Sequence, residues 1–372
     1  MRGISTVSQS QHWHPTTINV STNLRKVSVQ FEFIKPNLSS RKQSQKKLSI
    51  RCFSVKSEPH KEKKPLVVVG SANADIYVEI DRLPQEGETI SANSGQTLAG
   101  GKGANQAVCG GKLEYPTYFI GQVGEDAHGK LICEALERGG VFVDHLRTVA
   151  DVPTGHAVVM LQGNGQNSII IVGGTNMSSW PKTIPDEDLE VVRNAGILLL
   201  QREIPESVNI QVAKAARSAG VPIILDAGGV EAPIDSELLH AVDIFSPNET
   251  ELARLTEMPT ENFEQIKQAV QKCHELGVNQ VLVKLGDKGS ALFCKGEEEP
   301  IIQPIVKAEK VIDTTGAGDT FTAAFAVALV EGKSKKECLA FAAAAASLCV
   351  QVKGAIPSMP GRKKVLNLLH SL

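Results

Sequence analysis

Leu66-Val-Val-Val-Gly-Ser-Ala-Asn-Ala-Asp75 is the segment from which the fold class of this chain is predicted. Its apolar, mostly β-branched start, Leu66–Val69, ends at Gly70, which is typical of a strand buried in a parallel sheet. Similar runs recur at Tyr118–Ile120, Ile197–Leu200, Pro222–Leu225, Ile244–Phe245 and Val281–Leu285. Helical patterns lie between the runs, at Ser207–Ser218, Phe263–Leu276 and Thr320–Val330. Strands that alternate with helices predict βαβ units and a layered α/β sandwich.

Two regions interrupt this alternation. Residues 75–98 alternate apolar and polar side chains and contain turn residues at Pro84–Gly87. Residues 155–172 contain two candidate strands, His156–Leu161 and Asn167–Val172, around a Gly-Asn-Gly-Gln turn. Hairpin-type strands inserted into an α/β domain predict a small separate sheet that acts as a lid.

The first 64 residues differ in composition from the rest of the chain. They contain 15 Ser and Thr, 13 Lys and Arg, and three acidic residues. This composition is typical of an organellar transit peptide, and the apolar core of a secretory signal is missing. A disordered basic arm that binds nucleic acid is the alternative. We expect residues 1–64 to be a transit peptide and linker for the plastid, or alternatively the mitochondrion, and residues 65–372 to form the folded domain.

Charge and cysteine usage exclude several classes of function. The 308 residues after position 64 carry 26 basic and 38 acidic side chains, a net charge of −12, which is unsuited to a nucleic-acid backbone. No apolar run reaches the roughly 20 residues that span a bilayer, so we expect no membrane partner. The seven cysteines are dispersed and form no CxxC pair, which argues against a disulfide scaffold or a structural zinc site.

The strongest local motif is Asp313-Thr-Thr-Gly-Ala-Gly-Asp-Thr-Phe321, which opens an apolar helix. Gly316, Ala317 and Gly318 allow backbone N–H groups to converge at the helix N-terminus, which predicts an anion hole suited to phosphate. A carboxylate in the first helical turn would repel phosphate, so Asp319 suggests a base that takes a proton from a neighbouring hydroxyl. The alternative is an acidic N-cap on an ordinary buried helix.

Two further motifs precede it along the chain. Gly100-Gly-Lys-Gly-Ala-Asn-Gln-Ala107 is a glycine-rich turn into a helix, in which Lys102 and Asn105 can donate hydrogen bonds to a polar ligand. Asn73 and Asp75 follow the first strand, at the sheet edge where α/β folds bind ligands, and can grip adjacent hydroxyls of a polyol. A solvated tight turn and an Asx turn are the alternatives. The GxxxxGK match at Gly124–Lys130 lacks the following Ser or Thr of a P-loop and is rejected.

Six segments occur in the order seen in the ribokinase family of carbohydrate kinases. They are Gly70–Gly87, Gly100–Ala107 (GGKGANQA), Ser246–Glu251, Lys284–Gly289, Asp313–Phe321 and Lys353–Ser358. The resemblance covers about residues 65–372, and GGKGANQA is its most discriminating piece. It implies a three-layer α/β/α sandwich with a β-sheet lid, often a dimer interface, so we expect a homodimer. The implied activity is ATP-dependent phosphorylation of D-ribose at O5.

The resemblance also implies roles for individual residues. The sugar contacts would come from Asn73, Ala74, Asp75, Gly101, Lys102, Gly103, Ala104, Asn105, Glu203 and Asp319, with Asp319 as the base. The nucleotide site would comprise Asn248, Lys284, Leu285, Gly286, Asp287, Lys288, Gly289, Gly318, Asp319 and Ala343. Glu251 would lie near the Mg²⁺ that accompanies ATP. K⁺ or a similar monovalent activator would be held by Asp313, Thr315, Cys349, Val352, Gly354 and Ser358.

Two positions depart from the family pattern. Lys284 stands where some ribokinases have a small hydroxyl residue, which places an extra cation near the nucleotide, and Ala343 stands where some have a polar residue. The alternatives to a ribose kinase are a kinase for another pentose, deoxyribose or a nucleoside, and a non-catalytic kinase-like scaffold in an organelle.

Overall fold

A ten-stranded sheet forms the middle layer of the structure, a computed structural model that describes residues 63–162 and 167–372. The strands are β1 (Leu66–Val69), β2 (Asn73–Ile80), β3 (Ser94–Gly100), β4 (Thr117–Gly124), β5 (Val141–Phe142), β6 (Leu146–Val149), β7 (His156–Gln162), β8 (Asn167–Val172), β9 (Ile197–Arg202), β10 (Ile223–Gly229), β11 (Ile244–Ser246), β12 (Gln280–Lys284), β13 (Ser290–Cys294) and β14 (Ile301–Gln303). The helices are α1 (Lys102–Lys112), α2 (Ala127–Arg138), α3 (Asp186–Arg193), α4 (Glu206–Ser218), α5 (Ser236–Ala241), α6 (Glu249–Thr256), α7 (Phe263–Glu275), α8 (Ala317–Val330), α9 (Lys335–Cys349), α10 (Ala355–Ser358) and α11 (Arg362–His370).

The main sheet has the strand order β14-β13-β12-β11-β10-β9-β1-β4-β5, with β6 also paired to β4. All pairings from β12 through β5 and β6 are parallel, and β13 and β14 are added antiparallel at one edge. The carboxyl ends of the central strands therefore meet at one edge of the sheet, which is where ligands bind in folds of this kind.

Alternate residues of β1 enter different hydrophobic cores. Leu66 and Val68 belong to the core between the sheet and α1, α2, α8 and α9. Val67 and Val69 belong to the core between the sheet and α3, α4, α6 and α7. Because both faces of the strand are buried, it is apolar at every position, and the predicted three-layer α/β/α sandwich is confirmed.

The lid is a separate four-stranded sheet with the order β3-β2-β7-β8. Strands β2 and β7 pair in parallel at its centre, and β3 and β8 pair antiparallel at its edges. Tyr77, Ala157 and Val159 form its small core, with Leu98 and Leu161 packed against them. Both inserted regions predicted from the alternating pattern therefore belong to one sheet.

Each apolar run predicted as a strand lies in a strand or differs from it by one residue. The largest shift in a helix is at α8, which begins at Ala317 rather than Thr320 and so includes Asp319 in its first turn. The predicted transit peptide and linker, residues 1–64, lie outside the described residues except for the last two, and the assignment of that segment stays a prediction. Among the described residues, no helix is long and apolar enough to cross a membrane.

Candidate active site

A cavity of about 840 Å³ lies between the lid and the carboxyl edge of the main sheet. Strands β1 and β9 end at its floor, and α1 and α8 begin there. Its polar lining comes from seven separate segments, which explains why no single motif identifies it. The predicted site residues that line it are Asn73, Asp75, Gly101, Lys102, Asn105, Glu203, Asp313, Thr315, Gly316 and Asp319.

The first turn of α8 has the geometry of an anion hole. Gly316 adopts a positive φ of 78°, which a residue with a side chain rarely does, and so directs the chain into the helix. Within the described residues, the backbone N–H groups of Gly318 and Asp319 have no acceptor, as expected for the first turn of a helix. The helix dipole adds partial positive charge, so an anion is stabilised here.

Two amides from α1 hold the buried carboxylate of Asp319. Asn105 Nδ2 donates to Asp319 Oδ2 at 2.8 Å, and Gln106 Nε2 donates to Oδ1 at 3.2 Å. Lys102 Nζ lies 3.9 Å from Oδ1. Burial raises the pKa of Asp319, although the Lys102 charge opposes that shift. A carboxylate with a raised pKa beside an anion hole suits the removal of a proton from a hydroxyl.

The start of α1 is positioned by close backbone packing. Gly101 adopts a φ of 89°, and a methyl group on Gly103 would lie 2.7 Å from the backbone N and O of Ser71. Glu203 Oε2 fixes the same turn by accepting from Ser71 Oγ at 2.5 Å and from the Lys102 backbone N–H at 3.1 Å. The glycines of the motif therefore let α1 approach β1 closely enough to aim Lys102 into the cavity.

Asn73 and Asp75 occupy the lid side of the cavity. Asn73 Oδ1 accepts from Asn176 Nδ2 at 2.7 Å, and Asn176 also bonds both backbone groups of Ala72. Burial raises the pKa of Asp75 from 3.8 to about 7, with further contributions from the charges of Glu203 and Asp319. Asp75 is therefore a partly buried carboxyl whose pKa lies near neutral pH.

Sequence reasoning missed Asp226, a fully buried carboxylate in β10. Asp226 Oδ2 accepts from Lys284 Nζ at 2.8 Å and from Thr322 Oγ1 at 2.9 Å, and Lys102 Nζ lies 3.9 Å from Oδ1. Although burial opposes ionisation, the two lysines lower the pKa of Asp226 to about 2. The available signal was an acidic residue directly after the apolar run that ends at Leu225. Gln106, Thr322 and Asn176 were also missed.

A second group of predicted residues, those expected to bind the nucleotide, lies beyond the anion hole. The side chain of Asn248 caps α6 by accepting from the Glu251 N–H, and Glu251 Oε2 accepts from the Asn248 N–H, each at 2.8 Å. Residues 286–288 form a 3₁₀ turn after β12. Lys288 is largely exposed and lies 3.4 Å from Glu249, and Leu285 is buried.

The residues predicted to bind a monovalent cation come from two segments, 313–315 and 349–358, which Asp313 joins. Its carboxylate accepts from the Thr315 N–H at 2.9 Å and from the Gly354 N–H at 2.8 Å. Cys349 Sγ lies 3.9 Å from the Thr315 carbonyl oxygen and 3.0 Å from Ser358 Oγ.

Several predicted residues do not line the cavity with their side chains. Ala74 and Ala104 are fully buried beside it, Gly103 packs on β1, and Ala343 is buried within α9. Val352 has an exposed side chain without a donor atom, so only its backbone carbonyl could serve a cation. Among the described residues, no group of three or more His, Cys, Asp and Glu side chains could hold a metal ion.

Comparison with known proteins identifies the family of this chain. The pfkB family carbohydrate kinase profile matches residues 63–362. Ribokinase from Arabidopsis thaliana is 65% identical over 381 residues, covering 99% of each chain, and ribokinase from Bacillus subtilis is 37% identical over 304 residues, covering 82% of this chain and 99% of the relative. A solved structure of Arabidopsis thaliana ribokinase with ribose and ATP is similar with a TM-score of 0.80 and 74% identity, covering 82% of this chain and 98% of that one.

Proposed function

The chain belongs to the pfkB family of carbohydrate kinases, and we propose that it transfers the γ-phosphoryl group of ATP to O5 of D-ribose, giving ribose 5-phosphate and ADP. One observation carries this proposal above the others: the Asp319 carboxylate lies in the first turn of α8, at the edge of an anion hole and inside a polar cavity. That arrangement brings together a base and a place for a phosphoryl group.

The lid side of the cavity supplies the sugar contacts. Asn73 and Asp75 face Lys102 and Asn105 across it, so that carboxylate, amide and ammonium groups surround a space suited to a small polyol. Glu203 borders the same space while it holds the α1 turn. A ring of hydroxyl groups can satisfy these donors and acceptors, whereas an apolar ligand would leave them unpaired.

Asp319 accepts the proton of the sugar O5 hydroxyl as O5 attacks the γ-phosphorus. The O5–P bond forms while the bond from phosphorus to the bridging oxygen of ADP breaks, and ADP leaves with that electron pair. The hydrogen bonds from Asn105 and Gln106 keep the carboxylate oriented during the step. The N–H groups of Gly318 and Asp319 stabilise the negative charge that develops on the transferred group.

Mg²⁺ accompanies ATP in this chemistry and neutralises phosphate charge when it is bound. Glu251 fits a supporting role for that ion, because its Oε1 has no part in the α6 cap and lies near Gly228 at the edge of the site. Asp226 does not fit, since Lys284, Thr322 and the Gly228 N–H already occupy its oxygens. Mg²⁺ typically uses one or two protein carboxylates together with substrate phosphates.

A monovalent cation such as K⁺ is proposed as an activator bound between segments 313–315 and 349–358, which Asp313 joins. The candidate donors there are a carboxylate, backbone carbonyls and the Ser358 hydroxyl, which are oxygen ligands of the kind that such cations prefer. Residues 313–315 directly precede Gly316, so an ion bound there would order Gly316 and the N–H groups that follow.

The lid is proposed to exclude water and to form a homodimer contact. Strand β8 lies at a free edge of the lid sheet, and Ile169, Ile170 and Ile171 are each more than half exposed. An exposed apolar edge strand is a favourable pairing surface. Light scattering of the purified protein measures its mass, and a monomer at micromolar concentration would refute the dimer.

Import into a plastid, with a mitochondrion as the alternative, rests only on the composition of residues 1–64. Fusing that segment to a fluorescent protein tests this proposal directly. A cytosolic fluorescence pattern would refute both destinations.

An ADP-release assay with a panel of acceptors tests the activity. We expect ribose to give the highest kcat/KM, with deoxyribose, other pentoses and nucleosides well below it, and mass spectrometry to locate the phosphate at O5. A higher value for another acceptor would replace ribose as the substrate. A protein that releases no ADP with any of them would be the non-catalytic scaffold, and Asp319→Asn is the control for contaminating kinases.

A further inference from the structure

Lys284 extends from the end of β12 toward the first turn of α8. Its side chain is 14% exposed, and its ammonium group donates to Asp226 Oδ2 at 2.8 Å. A methyl group placed on Gly318 would lie 3.9 Å from Lys284 Nζ. The ammonium group is therefore a neighbour of the anion hole. The family resemblance puts Lys284 among the nucleotide-site residues, but the phosphoryl-transfer steps above do not use it.

Asp226 holds Lys284 in that place. Besides Lys284, Asp226 Oδ2 accepts from Thr322 Oγ1 at 2.9 Å. Asp226 Oδ1 accepts from the Gly228 N–H at 3.1 Å and lies 3.9 Å from Lys102 Nζ. A carboxylate fixed in this way has little freedom to move. Since an ammonium group has three N–H donors, the bond to Asp226 leaves two for a ligand.

The charge balance of the site favours such a ligand. Asp226, Asp319 and Glu203 surround Lys102. Without Lys284, the three carboxylates would outnumber the one ammonium group, and the site would repel the triphosphate of ATP. A lysine beside the developing charge of a transferring phosphoryl group is a recognised means of stabilising the transition state.

We propose that Lys284 is a catalytic residue that contacts the γ-phosphoryl group of ATP during transfer, and that Asp226 is the residue that positions it. The inference rests on the proposed kinase function. The γ-phosphoryl group is the one concerned because it alone must reach the hydroxyl beside Asp319, and Asp319 is the immediate neighbour of Gly318. Lys284 acts by its charge and hydrogen bonds and exchanges no proton in the step.

The competing explanation is that Lys284 only neutralises Asp226, and two variants separate the two explanations. Lys284→Met removes the ammonium group and leaves Asp226 without its closest partner. The double variant Asp226→Asn, Lys284→Met also removes the stranded charge and restores the net charge of the site. Lys214→Met is the matched control, because Lys214 forms an exposed ion pair with Glu237 at 2.7 Å.

We expect kcat to fall roughly 10²- to 10³-fold in Lys284→Met, as for the loss of one transition-state donor. The double variant should stay within about tenfold of the single variant, since it also lacks the group that contacts the phosphoryl oxygens, and Lys214→Met should match the parent enzyme. Recovery of the double variant to near the parent kcat would assign Lys284 to charge neutralisation alone and overturn the proposal.

Nucleotide binding supplies a readout that does not require turnover. Calorimetry with ADP and with the non-hydrolysable analogue AMPPNP compares two ligands that differ by the γ-phosphoryl group. We expect Lys284→Met and the double variant to bind AMPPNP roughly 10- to 100-fold more weakly and ADP nearly as well as the parent, because one charge-assisted hydrogen bond is lost. Equal losses for both nucleotides would overturn the γ-phosphoryl contact.

The binding experiment also distinguishes this inference from the proposed function. A protein that binds AMPPNP through Lys284 but phosphorylates no sugar would refute the ribose kinase activity and keep the γ-phosphoryl contact. If the parent protein phosphorylates ribose but both variants bind AMPPNP as tightly as the parent does, the kinase activity is supported and the contact between Lys284 and the γ-phosphoryl group is refuted.

Discussion

Asn105 Nδ2 donates a 2.8 Å hydrogen bond to Asp319 Oδ2, and these two buried residues are 214 positions apart in the sequence. The bond joins the first turn of α1 to the first turn of α8, and therefore connects the glycine-rich turn that enters the sugar side of the cavity to the helix that forms the anion hole. It makes the orientation of the base depend on both motifs.

Asp319→Asn should abolish most of the turnover. The amide is nearly the same size as the carboxylate but cannot accept the O5 proton, so we expect kcat to fall about 10²- to 10⁴-fold. ATP affinity, measured by calorimetry, should stay close to that of the parent because the N–H groups of the anion hole remain. Near-normal turnover of a correctly folded Asp319→Asn protein would remove Asp319 from the role of base.

Ribose binding should release protons near pH 7. Burial raises the pKa of Asp75 to about 7 in the free protein, so its carboxyl binds a proton near that pH. If the sugar hydroxyls donate to the ionised form, binding ribose displaces the proton, and affinity falls as the pH drops below about 7. Calorimetry in buffers of different ionisation enthalpy counts the protons, and Asp75→Asn should release fewer. Proton release unchanged in that variant would contradict the assignment.

The same carboxyl should make the ligand-free protein less stable at higher pH. The pKa of Asp75 is raised in the folded state, so the folded protein binds more protons than the unfolded chain between about pH 4 and pH 7. Its free energy of unfolding therefore decreases as the pH rises through that window. Asp75→Asn should lessen this decrease and raise Tm at pH 8. A parallel pH dependence of Tm in both proteins would show that another group is responsible.

Activity should depend on the monovalent cation. Replacing K⁺ with Na⁺ or Tris at constant ionic strength should lower kcat. Asp313 joins residues 313–315 to Gly354, and residues 313–315 lead directly into Gly316 and the anion hole. Asp313→Ala should reduce the response to K⁺ as well as the activity. An enzyme with the same turnover in K⁺, Na⁺ and Tris would contradict the proposed cation site.

Gly103→Ala should destabilise the fold and impair the site together. The added methyl group would lie 2.7 Å from backbone atoms of Ser71, so α1 must move away from β1. We expect a loss of about 1–3 kcal/mol in the free energy of unfolding, as for other overpacked sites, together with a higher KM for ribose. Urea denaturation measures the first effect. Gly361→Ala is the control, since its nearest neighbour would be Lys112 O at 3.9 Å, and an equal loss there would refute the packing argument.

The order of strands and helices was predictable because it depends on local pattern. A strand covered on both faces must be apolar at every residue, and the runs at Leu66–Val69 and Ile197–Leu200 show this directly. The lid strands were also predictable from a local pattern, the alternation of apolar and polar residues. The pairing of the lid strands was not predictable. Strands β2 and β7 lie side by side although about eighty residues separate them, and the sequence of neither strand specifies the other as its partner.

Residues that carry chemistry could be identified from the amino-acid sequence where they are contiguous, as in Gly100–Ala107 and Asp313–Phe321. Glycine conformation and helix N-termini are local properties, so a motif is enough to predict them. The ion pairs that Asp226 forms with Lys284 and Lys102 could be recognised only in the folded chain, since the three residues come from separate segments and meet at the carboxyl edge of the sheet. Electrostatic interactions in a buried site depend on the distance between the charges through space. Separation along the chain does not give that distance, so these ion pairs could not be predicted from the sequence.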